Sequence, residues 1–384
     1  MAVPKLRFNE FDNQWDKTTI NDQAQTVTSG SRDWAQYYSE SGDKFIRMTN
    51  LVRDGIYLDL SDLKFVQLPK DSNEGKRTSL KFGDILISIT AELGKLGWIP
   101  EGLGTAYINQ HTALVRMKDS IDSKFVAYSL STEKYNNKLN SLNDSGAKAG
   151  LNLGTIRNFE LIVPPKAEQT KIASFLSNVD EKISQLTQKH QLLSQYKQGM
   201  MQKLFSQQIR FKADDGSEFG EWEDKTIEQI ANFRRGSFPQ PYGLPEWLDS
   251  NGFPFVQVYD VSDKMLLKER TKIKISQLAA DQSVFAKQGT LIITIQGSIG
   301  RIAKMQYDAY VDRTLLIFQS YNCEVDVDYF KYALFLLFNI EKERAEGAII
   351  KTITKETLSK FIVQLPCLEE QTKIANFLSA IDQK

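Results

Sequence analysis

The chain of 384 residues is too long for one ordinary core, and its 41% hydrophobic and 11% aromatic content excludes a disordered polymer in favour of two or three folded domains. Lysine plus arginine equals aspartate plus glutamate at 48 each, which excludes a uniformly basic nucleic-acid binder; cations for such a partner must gather on one face. Cys323 and Cys367 are too few for a disulfide framework and read as ordinary buried thiols in a reducing compartment. With neither a signal-peptide stretch nor a run near the roughly 20 apolar residues of a membrane span, a cytoplasmic protein with no membrane contact is expected.

The first half opens on Arg7-Phe8, Trp15 and Ile20, the tryptophan reading as core. Strand-like runs lie at 45–48, 85–89 and 113–117, and a helix is expected over about 122–140. Glycines at 94, 97, 102 and 104 point to short strands in a compact, irregular sheet rather than a doubly wound one. Arg32, Lys76, Arg77, Lys95 beside Gly94, and Lys148 are flexible cations suited to DNA phosphates, and equally to a solvated surface. His111 reads as a residue at a strand edge.

Pro164-Pro165 followed by Glu168 is the usual order of helix start signals. Ile172, Val179, Leu186, Leu193 and Met200 then recur every seven residues, with Leu176, Ile183 and Leu204 on the companion register. This is a coiled-coil seam over about 168–206, close to 60 Å long at about 1.5 Å per residue. His190 and Lys197 interrupt it, and both are expected to reach solvent, the alternative being register-setting positions.

The second half opens on Arg210-Phe211, Trp222 and Ile227, again with a core tryptophan. Arg234-Arg235-Gly236 stands near the place of Thr28-Ser29-Gly30, a change from hydroxyls to arginines that suits altered base readout. Strand-like runs follow at 255–258, 291–295 and 315–318. Lys268, Arg270, Lys272 and Lys274 alternate, so as one strand they would project four charges from a single face, for phosphate contact or for edge protection. Arg301 beside Gly300 repeats the Gly94-Lys95 arrangement, a helix is expected over about 326–346, and Lys351 completes the candidate cations.

These elements are two copies of one unit. The run EQTKIASFLSNVDEK from Glu168 returns as EQTKIANFLSAIDQK from Glu370, with eleven of fifteen positions identical, and Thr155, Phe159 and Pro164 match Thr357, Phe361 and Pro366. Between these anchors the copies diverge, as a common scaffold carrying different surfaces would. The stripe on the first long helix must bury against another helix, and the second copy, from near Glu369, is its partner in the chain. That copy covers about four turns to Lys384, so for the seam beyond Ile183, with Leu186, Leu193, Met200 and Leu204, two expectations stand: the second helix is cut short, or another subunit covers the stripe.

Catalytic chemistry is poorly supplied. The sole Pro-Pro is Val163-Pro164-Pro165-Lys166, unlike an amino-methyltransferase target-amine motif, and no glycine-rich phosphate loop ending in Lys-Ser/Thr occurs. Glu74-Gly75-Lys76 reads as a solvated turn rather than a nuclease pair. With His111 and His190 as the only histidines, no metal site is expected.

The doubled boundary from Pro164 and from Pro366, with Trp15 and Trp222 near the start of each copy, resembles the specificity (S) subunit of Type I restriction-modification systems over nearly the whole chain. That resemblance implies an α+β fold with two similar mixed α/β target-recognition domains, at 1–165 and 209–365. The conserved helices of that family, here 166–208 and a short distal 366–384, would join them as an antiparallel coiled coil. It implies a non-catalytic subunit reading a bipartite double-stranded DNA sequence. The modification subunits that dock on it would methylate adenine with S-adenosylmethionine, and restriction subunits would add ATP- and magnesium-dependent cleavage. Two other readings are a recognition fragment of a single-chain restriction-methyltransferase and a helical scaffold that binds only proteins.

Overall fold

A computed structural model describes residues 4–142, 150–344 and 354–383; Lys148 and Lys351 lie outside them. The chain divides into two compact units, Met1–Leu186 and Thr187–Lys384.

The first unit runs β1 (Asp16–Thr19), α1 (Ile20–Gln23), β2 (Ala24–Ser29), β3 (Tyr38–Ser39), β4 (Asp43–Ile46), β5 (Lys64–Val66), β6 (Ile85–Ser88), β7 (Leu96–Trp98), β8 (Ala106–Ile108), β9 (Thr112–Met117), α2 (Ser123–Ser131), α3 (Glu133–Ser141), α4 (Leu153–Arg157), β10 (Glu160–Val163) and the start of α5 (Lys166–Phe205). Its sheets have the orders β2-β9-β6-β7 and β3-β5-β4-β8, with β1 paired to β10. Strand β6 is a run of four buried residues, three of them aliphatic, as a strand covered on both faces requires. One core packs this sheet against α2, α3 and the first turns of α5, through Phe125, Leu139, Phe159 and Ala173.

The second unit repeats the plan. It contains β11 (Glu223–Thr226), α6 (Ile227–Ile230), β12 (Ala231–Arg235), β13 (Leu248–Val256), β14 (Ile273–Ile275), α7 (Gln277–Ala280), β15 (Val284–Ala286), β16 (Leu291–Thr294), β17 (Ile302–Lys304), β18 (Ala309–Val311), β19 (Leu315–Tyr321), α8 (Val327–Arg344), α9 (Lys355–Ser359), β20 (Ile362–Leu365) and α10 (Leu368–Asp382). The sheet β12-β19-β16-β17, with β11 on β20, matches the first unit strand for strand, whereas in β14-β13-β18-β15 three strands match β5, β4 and β8 and the fourth, β15, flanks β18 where the first unit has β3 flanking β5. The expected α+β class and the repeat are both present.

Polar keys recur with the repeat. Arg7 grips buried Glu168 through Nε and Nη2, each at 2.7 Å, and Arg210 grips buried Glu370 at 3.1 and 2.7 Å. Gln169 accepts from Asp122 N and donates to Pro164 O; Gln371 accepts from Asp326 N and donates to Pro366 O. The Tyr128 hydroxyl donates to Asp180, and that of Tyr332 to Asp382. The identical residues at each helix start therefore lock the helix to its own unit.

Helix α5 is a single helix of 40 residues whose buried face changes along its length. Ile172, Ala173 and Leu176 pack in the first unit, residues 181–190 are exposed throughout, and Met201 and Leu204 join the core of the second. Within the second unit, Lys197 meets Asp382 at 2.5 Å, Tyr196 meets Phe377, and Arg210, past the helix end, reaches Glu370. Rising numbers on α5 thus meet falling numbers on α10, the antiparallel pairing expected.

Three expectations change. Leu204 is 1% exposed, so it is core of the second unit and not an outward contact; Leu193 and Met200 are half-buried, and Leu186 stays exposed. Lys197 does not reach solvent: its side chain is 13% exposed, with its ammonium 4.7 Å from the Tyr332 ring centroid. His190 is exposed as expected. Cys323 is half-buried and Cys367 is exposed, because Cys367 stands at the N-cap of α10 and not in a core.

Candidate nucleic-acid interface

One end of each main sheet collects loops from four directions. In the first unit Ser29 pairs with Ala113 and Ser88 with Thr112, so the end of β2, the β6–β7 turn and the β8–β9 loop emerge together. Gly30 is required there: a Cβ would stand 2.1 Å from Ile108 O, and Ser31 bridges to Asn109. Arg77, on a short 3-10 turn, donates to Ser29 O at 3.3 Å, and Lys76 beside it to Asn73 Oδ1. Arg32 is exposed two residues past Gly30. In the β8–β9 loop His111 Nδ1 lies 2.9 Å from Thr90 Oγ1 and its Nε2 lies 3.0 Å from Gln110 Nε2.

The second unit builds the same end. Arg234 and Arg235 close β12 opposite Ile317 and Leu316, both exposed, and a Cβ on Gly236 would stand 2.2 Å from Val311 O. The expected equivalence of these arginines with Thr28-Ser29 is therefore structural: on one frame, hydroxyls in one unit become guanidinium groups in the other. Neighbouring strand residues point to opposite faces, so Arg234 and Arg235 spread their charge across the strand end.

Other expected cations are held by the fold. Lys95 is ion-paired to Glu92 at 2.5 Å, and Arg301 donates to Val261 O at 3.2 Å; their turns superpose in logic, with Ser88 Oγ donating to Glu92 O and Thr294 Oγ1 to Ser298 O. The expected single strand through Lys268, Arg270, Lys272 and Lys274 is absent, since only Ile273–Ile275 is strand. Buried Asp260 winds the segment into a loop instead. Its carboxylate accepts from Gln257 N at 2.9 Å and Lys272 N at 3.0 Å, its carbonyl takes Lys268 N, and Lys272 lies 4.8 Å over the Tyr259 ring. Burial pushes the Asp260 carboxyl up, while those backbone donors and Lys268 and Lys272 pull it down. Asn50 fills the matching place in the first unit, accepting from Arg47 N and donating to Asp59 O.

The loop before β19 carries a further cation that no sequence pattern marks. There Asp312 accepts from Thr314 N and Oγ1 at 2.9 and 2.6 Å and from the Tyr242 hydroxyl, and exposed Arg313 lies 4.8 Å over the Tyr242 ring. Burial, then the bond to Asp312, pushes the Tyr242 hydroxyl up, keeping it a donor. Arg313 stands beside an acid and away from glycine, so neither charge patterning nor a turn signal marked it.

Among the described residues no His/Cys/Asp/Glu group is arranged to hold a metal ion, and no helix is long and apolar enough to cross a membrane. Fold and strand end together define a tandem protein presenting two differently armed cationic edges on one scaffold. The family described as Type I restriction modification DNA specificity domain matches residues 13–195 and 220–384, and the chain belongs to it.

A Methanocaldococcus jannaschii protein named as the MjaX specificity subunit of a type I restriction enzyme is 25% identical, over 98% of this chain and 89% of its own. The EcoBI specificity subunit of Escherichia coli is 23% identical, over 76% of this chain and 65% of its own. The crystal structure of the Type I restriction-modification S subunit from M. genitalium is similar with a TM-score of 0.66 at 17% identity, covering 100% of this chain and 92% of that one. At that identity the likeness establishes the fold.

Proposed function

We propose that each unit reads one half of a bipartite double-stranded DNA sequence through its cation-bearing strand end. In this reading Arg32, Lys76 and Arg77 in the first unit, and Arg234, Arg235 and the Lys268–Lys274 loop in the second, contact DNA. The observation that carries it is the repeat itself: buried keys are duplicated, whereas the groups at the strand ends differ, as two readers on one frame require. The chain supplies recognition and assembly in the cytoplasm and no catalytic step. Modification subunits docking along the exposed stretch of α5 around Leu186 would methylate adenine using S-adenosylmethionine, and restriction subunits would supply ATP- and magnesium-dependent cleavage.

The test exchanges residues 1–165 for the corresponding domain of another family member and sequences the methylated sites in cells carrying the partners. The expected outcome is a change in one half of the recognised sequence with the other half kept. A change in both halves sinks the two-reader assignment.

A further inference from the structure

The two strand ends differ in the charge carried by one tightly held loop. The loops 109–111 and 312–314 sit on the same frame, each pressed by a glycine with no room for a Cβ and closed by a backbone bond, Thr112 N to Asn109 O or Leu315 N to Asp312 O. The second is tied further by Asp312 N to Val256 O at 3.0 Å. Such a loop is preorganised, so a contact made from it loses little ordering entropy.

The two copies load this frame differently. The first carries Gln110 and His111, whose polar groups engage each other and Thr90. The second carries Arg313. The neighbouring Asp312 carboxylate is occupied by Thr314 and Tyr242, and among the described residues no ion pair holds Arg313. Its guanidinium rests on the Tyr242 ring and also engages the Tyr242 hydroxyl, which directs the exposed planar fork. Arg301 and Lys95 are tied within the fold, and Arg234 and Arg235 sit in a strand whose geometry spreads them apart, as phosphate contacts suit.

We propose that Arg313 determines specificity in the half-sequence read by the second unit, donating its fork to O6 and N7 of a guanine in the major groove, with Tyr242 and Asp312 positioning it. The proposal rests on the strand end being the DNA-reading surface. Gln110 occupies the matching place in the first unit, so the first half-sequence is read there without a guanidinium fork.

The experiment uses the full chain with its modification subunits and reads methylated sites in cells carrying wild type, Arg313→Ala, Arg313→Lys or Tyr242→Phe. Arg313→Ala should lose discrimination at one G·C pair of a single half-sequence, on the order of ten- to a hundredfold, with the other half unchanged. Arg313→Lys should keep methylation but relax the same base pair. Tyr242→Phe, which keeps the ring and removes the bond to Asp312, should relax it partially. Thermal midpoints equal to wild type exclude a folding effect for each variant. A uniform fall at all sites with every base still required would make Arg313 a phosphate contact and overturn the proposal, as would an unchanged set of sites. If Arg234→Ala with Arg235→Ala leaves DNA affinity and its salt dependence unaltered, the surface assignment fails independently of Arg313.

Discussion

A carboxylate shielded from water at a helix start needs an ionic or hydrogen-bonded partner, and Glu168 and Glu370 are both fully buried. Each accepts a two-pronged arginine, and each lies in a first helical turn, where the unpaired N–H groups favour negative charge. Arg210 adds a bond to Gly220 O, and Trp222 Nε1 donates to Glu370, so the pair also fixes where the chain enters the second unit. Arg210→Ala strands the Glu370 charge. We expect a loss of roughly 2 kcal/mol in urea denaturation, discounted from the roughly 3–5 kcal/mol of a fully buried pair because Arg210 keeps 22% of its side-chain surface in water. A Glu370→Gln background should reduce that loss, and equal losses in both backgrounds would show that the ion pair is not the cause. Neither pairing was legible in the sequence: Arg7-Phe8 and Arg210-Phe211 were visible as repeat anchors, but partners about 160 positions away are set by folding.

Helix α5 shows what periodicity can and cannot supply. Its heptad marks Leu204 and Leu186 alike, yet Leu204 is sealed in a core and Leu186 is 53% exposed. The same spacing serves two surfaces because a helix of this length outruns either unit's sheet. Leu186 and Leu192, the latter 57% exposed, are among the exposed apolar groups of α5, with Ile183 at 57% and Tyr196 at 51%, and they are the pair that tests docking of a partner subunit. A Leu186→Glu, Leu192→Glu variant should bind the modification subunit at least tenfold more weakly, with unfolding free energy changed by no more than about 0.5 kcal/mol, the usual range of a surface change. Leu204→Glu should instead abolish the cooperative unfolding of the second unit, because it places a charge in a packed core. Complex formation at wild-type strength by the double variant would count against α5 as the docking helix.

For the molecule as a whole, the consequence of joining two readers through a helix is metric. Four residues inserted near Gln188, inside the exposed stretch, lengthen α5 by about 6 Å, nearly two base-pair rises of about 3.4 Å, and leave a net rotation of roughly 40° against about 70° for two base pairs. The variant should recognise the same two half-sequences with the gap widened by one or two base pairs, at reduced affinity. Methylome sequencing decides it, since an unchanged gap with full activity would show that the helix does not set the spacing. The duplicated plan, the central strands and the long helix are legible in the amino-acid sequence by itself, because they are written in local period and in a fifteen-residue run with eleven identities. Tertiary structure alone decides the face that each residue shows. Lys197 looks like a break in the seam until Asp382 and Tyr332 surround it, and the alternation of Lys268 to Lys274 looks like a strand until buried Asp260 claims their backbone. Arg313 is unremarkable in sequence and becomes a directed fork once Tyr242, about 70 positions earlier, lies beneath it. The reason is range: period and propensity act over a few residues, whereas burial, ion pairing and aromatic support depend on segments that only the closed sheet brings together.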